Sequence, residues 1–303
     1  MPKFPSHFDI RADTVINMIL ITGATGTIGR QVLRILAERG EHARAMTRTP
    51  AKVPPSPGLE IVQADFDDPA SLKRAVAAIQ TVFLLTAPDA PTPRHDLAML
   101  DAARSAGVTR VVRLSAIGTG AKFGDHTIGE WHLKAEQALR TSGMAWTLLR
   151  PTTFASNALW WADTIKTGKP IPNLTGNGRQ GIIDPRDVAA VAVEALLSPA
   201  HIEQTYTLTG PDLLSVPDQA ACLARALGHP VATVDLNLDE AAEQMRASGM
   251  DASVVGMIIV GSAFARAGHN AILTEDVSDI LRRPPAGFQA WAHEHRDAFT
   301  AAS

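Results

Sequence analysis

The stretch MILITGATGTIGRQVL, from Met18 to Leu33, places three glycines between an apolar strand-like run and a helical pattern. These glycines, Gly23, Gly26 and Gly29, follow the spacing G-x-x-G-x-x-G. Without side chains there, the backbone can turn tightly and approach a pyrophosphate, which then lies on the helix N-terminus. A tight turn that binds nothing is the alternative, because glycine spacing alone is a weak indication. The flanking strand and helix favour a dinucleotide-binding loop.

Apolar strand-like runs alternate with helical patterns on both sides of this loop up to about Arg150, which argues for parallel strands covered by helices. The strand candidates are MILIT, ARAMT, LEIVQA, TVFLLT, RVVRLS and AWTLLR. Between the first two, IGRQVLRILAERG has helical apolar spacing and ends at Gly40, a suitable C-terminal cap. The right-handed crossover rule then predicts an α/β fold with a doubly wound parallel sheet, the Rossmann arrangement.

The regular alternation ends after Pro151, and three parts of the chain are expected. Residues 1–17 form an N-terminal extension, and residues 18–153 form the dinucleotide-binding core. Residues 154–303 form mainly a smaller, mostly helical substrate lobe over the carboxyl edge of the sheet. Within that lobe, residues 182–210 return to the core sheet, because IIDPRDVAAVAVEALLS predicts a strand end and a helix, and QTYTLTG predicts one further strand.

The amino-acid composition and charge limit the classes of protein to which this chain can belong. The 303 residues are 46% hydrophobic and 19% charged, which is typical of a soluble globular chain. The formal net charge of −3 gives no reason to expect a nucleic-acid partner, and no apolar run is long enough to span a membrane. The opening MPKFPSHFDIRADTVIN lacks the pattern of a signal peptide, and the single Cys222 can form no intrachain disulfide, so a cytoplasmic location is expected. The ten histidines form no metal-ligand pattern, and no metal site is expected.

Further motifs extend the pattern of the glycine loop along the chain. They are IVQADFDDPASL, AARSAGVTRVVRLSA, SGMAWTLLRPTTF, DPRDVAAVAVEAL, YTLTGP and PPAGFQAWAHEHRDAF. With these motifs the chain resembles the NmrA-like family of atypical short-chain dehydrogenases/reductases from Met18 almost to its end. The resemblance implies a Rossmann fold that binds NAD(P), and it implies no particular substrate.

The segment ARAMTRTP bears on which dinucleotide is bound. An NAD site usually has Asp or Glu at this strand end, whereas here Arg48 stands near it and suits a 2′-phosphate. NADP is therefore favoured and NAD stays open, since Arg48 is alternatively a solvated surface residue. The family pattern adds Asp65 and Phe66 near the adenine, although Asp65 is also a good strand-end or capping carboxylate. The cofactor-binding residues expected are Gly23, Thr25, Gly26, Thr27, Ile28, Gly29, Arg48, Asp65, Phe66, Thr86, Ala87, Pro88, Lys134, Pro151 and Thr153.

The helix predicted in TIGEWHLKAEQAL lacks the tyrosine that standard short-chain reductases use as an acid. By the family pattern, Lys134 takes the lysine position and orients the nicotinamide ribose, and Ser115 takes the serine position. Glu130 stands four residues before Lys134, a spacing that also makes a plain surface ion pair. His126 is expected to approach the nicotinamide as a proton donor, or else is merely exposed. His132 lies two residues from Lys134 and need not act with it. The catalytic candidates are Ser115, His126 and Lys134.

The segment RPTTFASNALWWADTI follows the last core strand, where ligands collect in such sheets. Phe154, Trp160 and Trp161 are expected to form flat apolar walls for a ring system, or alternatively to pack between the two parts of the chain. Met257, in an apolar stretch, is expected to close the pocket, although that stretch is also typical of an interface or core helix. The substrate residues expected are Phe154, Trp160, Trp161 and Met257.

The function expected from the resemblance is NAD(P)H-dependent reduction of a quinone-like or polycyclic aromatic substrate by direct hydride transfer. Members of the family commonly lack the tyrosine, and some are quinone or azo reductases that need little acid catalysis. Tailoring of an aromatic polyketide, by reduction or by monooxygenase-type hydroxylation, is a variant of this expectation. The alternative is an NAD(P)-sensing regulatory protein without turnover. The expected partner is the small aromatic molecule, with neither nucleic acid nor membrane, and the protein is expected to be a monomer or homodimer.

Overall fold

A seven-stranded parallel sheet forms the centre of the protein, whose computed structural model describes residues 17–87 and 92–300. The strands are numbered here along the chain, and their spatial order is β7-β6-β5-β4-β1-β2-β3. Ile19 of β1 lies opposite Ala43 of β2 on one side and Thr81 of β4 on the other. The strands are β1 (Ile19–Ile21), β2 (Ala43–Thr47), β3 (Leu59–Gln63), β4 (Thr81–Leu84), β5 (Arg110–Leu114), β6 (Ala145–Pro151) and β7 (Gln204–Leu208).

Eleven helices cover the sheet and build the second lobe within the described ranges. They are α1 (Thr27–Glu38), α2 (Pro69–Ala75), α3 (Arg94–Ser105), α4 (Glu130–Arg140), α5 (Ala162–Lys166), α6 (Pro185–Leu197), α7 (Val216–Leu227), α8 (Leu238–Ala247), α9 (Ala252–Arg266), α10 (Asp276–Leu281) and α11 (Phe288–Glu294). The predicted Rossmann sheet is confirmed, and all seven strand candidates form its strands.

Short strands pair in three places outside the sheet. Lys122–Phe123 pairs antiparallel with His126–Thr127, which makes a small hairpin between β5 and α4. The other pairs are Ile171–Asn173 with Thr233–Asp235, and Gln180–Gly181 with Leu213–Leu214.

The sheet is buried on both faces, as a parallel sheet covered by helices must be. Side chains alternate along a strand, so Ile19 and Ile21 pack into one cluster with α1 and α6, whereas Leu20 packs into the other cluster with α2 and α3. β7 extends the sheet beside β6, and Val277 of α10 joins the α1 and α6 side of the core. A third cluster, around Trp291 and Phe288, forms the separate core of the second lobe.

An aspartate followed by a proline begins two of the helices. The side chain of Asp68 accepts a hydrogen bond from the backbone N–H of Ala70 at the start of α2, and that of Asp184 accepts one from Arg186 at the start of α6.

Within the described ranges, no helix is both long enough and apolar enough to cross a membrane.

Candidate functional site

The loop between β1 and α1 has the shape of a phosphate cradle. Gly23 adopts a left-handed backbone with φ of 60°, and its carbonyl accepts the N–H of Gly26 at 2.9 Å. A Cβ added at Gly29 would lie 2.2 Å from the Gly23 oxygen, so α1 packs against the turn without room for a side chain. Gly26 caps α1 without a side-chain hydrogen bond, which leaves the first backbone N–H groups available to an anion. This backbone fits a dinucleotide pyrophosphate.

Thr22 fixes the loop against the neighbouring strand. Its buried Oγ1 donates to the carbonyl of Leu85 at 2.9 Å and accepts the Leu85 N–H at 2.8 Å. Leu85 also lies against Gly23, where an added Cβ would approach the Leu85 side chain to 2.8 Å. The carboxyl ends of β1 and β4 are therefore held together at the point where ligands bind in such sheets.

The residues expected around the adenine lie at the ends of β2 and β3. Arg48 is exposed and borders a groove of about 580 Å³ together with Asp65 and Arg74. The Asp65 carboxylate accepts the Asp67 N–H at 3.1 Å, as a turn-forming aspartate does. Phe66 stacks on the His95 ring, with centroids 5.2 Å apart. Arg48 is thus free to meet a 2′-phosphate, and both interpretations of Asp65 fit its position.

Beneath the inner part of the site lies a buried polar chain that sequence reasoning missed. Thr86 donates to Asp96 at 2.8 Å, and Arg113 Nε donates to the other Asp96 oxygen at 2.8 Å. The two terminal nitrogens of Arg113 then reach His132 Nδ1, each at 3.2 Å. Arg113 and Asp96 are almost completely buried, so each needs the other as its counter-charge. Ala87 is exposed beside Thr86, and the expected Pro88 lies outside the described residues.

A second buried chain holds Ser115. Its Oγ donates to Glu136 at 2.5 Å, and the same carboxylate receives two hydrogen bonds from Arg150, at 2.9 and 2.5 Å. Glu136 is 2% exposed. The hydroxyl proton of Ser115 is therefore directed at Glu136 rather than at the space above the sheet edge.

Lys134 lies on the outer face of α4. Its ammonium group pairs with Glu130 at 3.0 Å, and about half of each side chain is exposed. The buried face of α4 carries instead Trp131, Ala135, Glu136 and Leu139. The arrangement has the geometry of the surface ion pair that the spacing allowed, and contact of Lys134 with a ribose stays a prediction.

A cleft of about 490 Å³, called here the histidine cleft, opens between α9 and the segment 116–132. His126 stands in the hairpin at its rim and is exposed, whereas His132 lies deeper. Met257 and Gly261 of α9 form the opposite wall.

A second cleft of about 430 Å³, called here the tryptophan cleft, shares Met257 and Gly261 of α9 with the histidine cleft. Thr153, Trp160 and Trp161 line it, and Met257 and Gly261 line both clefts. Trp160 is 80% exposed, which is unusual for so large an apolar ring. Thr153 donates to Gln180 at 2.8 Å.

Two expected site residues are held in the core. Phe154 packs against the α1 and α6 cluster and bridges to Ile183 through its backbone. Pro151, the last residue of β6, is buried. Of the four expected substrate residues, the structure therefore brings Trp160, Trp161 and Met257 together at a cleft.

Electrostatics set the protonation of His132. Burial, then the positive charges of Arg113 and Arg150, lower the pKa of His132 to about 2. Its ring is consequently neutral at any pH at which the protein works. Within residues 17–87 and 92–300, no group of three or more His, Cys, Asp or Glu is placed to hold a metal ion.

The sequence is similar to those of known NAD(P)H-binding proteins. The model of the NAD(P)H-binding family matches residues 23–199. The NAD(P)H azoreductase of Xenophilus azovorans is 36% identical over 289 residues, which cover 94% of this chain and 100% of the relative. The (4-alkanoyl-5-oxo-2,5-dihydrofuran-3-yl)methyl phosphate reductase of Streptomyces griseus subsp. griseus is 36% identical over 283 residues, which cover 93% and 99%.

Solved structures share the fold. The NADPH-dependent quinone oxidoreductase QOR2 of Escherichia coli, in complex with NADPH, superimposes with a TM-score of 0.80 at 23% identity. The match covers 91% of this chain and 99% of that one.

Proposed function

The chain belongs to the NAD(P)H-binding family, and from that premise we propose that it reduces flat, electron-poor aromatic acceptors, with quinones and azo compounds as the substrate class. It is an NAD(P)H-dependent oxidoreductase. The observation that carries the substrate proposal is the pair of clefts that share Met257 and Gly261, with exposed tryptophan at one and neutral imidazole at the other. The azo substrate class is named for a relative 36% identical to this chain.

In this proposal the residues of the chain bind the cofactor and orient the acceptor. The N-terminus of α1 and the glycine loop hold the pyrophosphate, and Arg48 meets the 2′-phosphate of NADP. The reduced nicotinamide supplies a hydride when it is bound. Met257, which lines both clefts, and Trp161 would contact the acceptor ring and exclude water from it. Because such acceptors are electron-poor, no tyrosine-type acid is required.

The catalytic candidates take different parts in the proposal. His126, exposed at the rim of the histidine cleft, exchanges protons with solvent and returns one to the reduced product. Ser115 holds the buried carboxylate of Glu136 on α4. Lys134 contacts the ribose only if it leaves Glu130. An aromatic polyketide is one member of the substrate class, and the reductase names of the relatives favour its reduction over hydroxylation.

A two-step assay tests the proposed function. Purified protein is titrated with NADPH and NADH by fluorescence, and menadione, a tricyclic quinone and an azo dye are then added while nicotinamide absorbance is followed. The proposal expects binding and oxidation with at least one acceptor. Tight binding with no oxidation across the panel contradicts it and favours a dinucleotide sensor.

Arg48→Ala is expected to weaken NADPH binding about 10- to 150-fold, since a charge-assisted contact contributes about 1.5–3 kcal/mol. NADH binding should stay unchanged, because NADH has no 2′-phosphate. The measurement is the ratio of the two dissociation constants in wild type and variant. Arg104→Ala is the control, since Arg104 is an exposed arginine on α3. Equal loss for both dinucleotides would contradict the role of Arg48.

Gly261→Leu is expected to lower kcat/KM for menadione by about tenfold or more, a barrier increase of about 1.4 kcal/mol. Nothing lies within 4 Å of a Cβ at Gly261, so the new side chain would enter the clefts rather than the core. The melting temperature should not fall, since leucine favours a helix interior over glycine by roughly 1 kcal/mol.

Ala252→Leu is the matched control for Gly261→Leu, because Ala252 is an exposed residue of the same helix. NADPH affinity should be unchanged in both variants. Menadione turnover that survives Gly261→Leu would show that the substrate lies elsewhere.

A further inference from the structure

The buried polar chain that ends at His132 fixes which ring nitrogen carries its proton. Arg113 is always charged and only donates, so His132 Nδ1, which lies 3.2 Å from both terminal nitrogens of Arg113, must accept and carries no proton. In a neutral ring the proton is then on Nε2. The tautomer follows from the chemistry of the partner.

The ring itself is held in place. Trp131 stacks on it with centroids 3.6 Å apart, and the Arg113 guanidinium lies 5.8 Å from the centre of the Trp131 ring. Asp96 and Thr86 anchor Arg113 in turn. A donor whose orientation is set before the substrate arrives costs little reorganisation during the reaction.

Nε2 is directed away from this anchor. Within the described part of the chain it has no hydrogen-bond partner, and His132 lines the histidine cleft opposite Met257 and Gly261. A polar N–H among the lining of a largely apolar cleft is what a binding site uses to orient one substrate atom.

We propose that His132 Nε2–H donates a hydrogen bond to the substrate oxygen or azo nitrogen that gains negative charge as hydride is transferred. The proposal rests on the proposed function and adds the group that stands in for the missing tyrosine. A neutral imidazole polarises a carbonyl in this way without giving up its proton. His132 is then a catalytic residue that needs no change of protonation state.

The overall reaction balances without a proton from His132. A quinone, NAD(P)H and one proton from solvent give the hydroquinone and NAD(P)⁺. The hydride carries both electrons to the substrate, and the substrate oxygen, held by Nε2–H, takes the proton from water or from His126 at the rim. His132 ends the reaction as it began.

Charged side chains surround His132 on strands β5 and β6 and on helices α3 and α4. Arg113 on β5 and Arg150 on β6 oppose a positive charge on the ring, whereas Asp96 on α3 and Glu136 on α4 are each neutralised by an arginine. The exposed groups at the same cleft are Glu130 and His126. Hydride transfer should therefore show no titration of His132 between about pH 5 and 9, since its pKa lies far below that window.

Two substitutions of His132 distinguish the role of Nδ1 from that of Nε2. His132→Asn keeps an acceptor near the position of Nδ1 for Arg113 and removes Nε2–H. His132→Gln places an amide N–H near the position of Nε2. His132→Asn is expected to lower kcat for menadione on the order of 10²-fold, as loss of one preorganised donor does. His132→Gln should recover most of that loss. The control is His293→Asn, an exposed histidine on α11.

For each variant, menadione turnover is measured together with the NADPH dissociation constant, the melting temperature and the ¹⁵N spectrum of the histidine side chains. The expected spectrum has the signal lost in His132→Asn as a neutral Nε2–H tautomer that does not shift between pH 5 and 9. A proton on Nδ1, equal losses in the Asn and Gln variants, or full activity of the Asn variant would each overturn the proposal. A wild-type protein that binds NADPH but oxidises it with none of the quinones or the azo dye would instead overturn the proposed function.

Discussion

Gly29→Ala is expected to lower the affinity for NADPH at least about 100-fold, which is about 2.7 kcal/mol. The added methyl would lie 2.2 Å from the Gly23 oxygen, 2.8 Å from the Gly23 carbonyl carbon and 3.0 Å from Ala24 Cα. All three atoms are backbone, so the whole turn must move and the N–H groups at the start of α1 lose their alignment. Fluorescence titration of the purified variant measures the effect.

Gly287→Ala is the control for this prediction. Gly287 also precedes a helix, but a Cβ there would meet only ordinary contacts, at 3.6 Å from Pro211 and 3.8 Å from Asp212. Its NADPH affinity should equal that of the wild type. If Gly29→Ala also bound NADPH normally, the dinucleotide would not lie on the glycine loop.

Asp96→Ala is expected to lower the free energy of unfolding by about 3–5 kcal/mol, because it leaves the Arg113 guanidinium buried without a counter-charge. The side chains of this pair are 1% and 2% exposed, and the Nε to Oδ1 distance is 2.8 Å. Thr86 loses its acceptor in the same variant. Urea denaturation measures the change.

Asp101→Ala provides a control on the same helix. Asp101 also pairs with an arginine, Arg104, at 2.9 Å, but both side chains are mostly exposed. Its loss should change stability by less than about 1 kcal/mol. Similar destabilisation by the two variants would mean that the buried pair contributes no more than a surface pair.

Local pattern was enough to predict most of the fold. Apolar runs such as RVVRLS and AWTLLR have the length and β-branched content of buried parallel strands, and each is a strand of the sheet. Gly29 was recognised from its spacing, and its contact with the Gly23 oxygen explains why glycine is needed there. α10 follows the second lobe in sequence but packs against the core of the sheet. A helix of six residues is too short for its apolar pattern to indicate where it packs.

The polar chains under the site could not be predicted, because their members are distant in sequence. Asp96 and Arg113 lie on different elements, and only the packing of α3 on β5 brings them together. A usable indication was present, since an arginine inside an apolar strand requires a buried partner. For Ser115 the family pattern gives the position but not the partner, because Glu136 lies 21 residues further along the chain and on another element.

The most direct test of the account is a single-turnover reaction of the protein, NADPH and menadione, with no added flavin or metal. Direct hydride transfer predicts that bound NADPH is oxidised in step with hydroquinone formation, one for one. It also predicts that NADPH carrying deuterium at the transferred position reacts more slowly and delivers that deuterium to product or solvent. Bound NADPH that stays reduced with menadione, the tricyclic quinone and the azo dye would contradict the account.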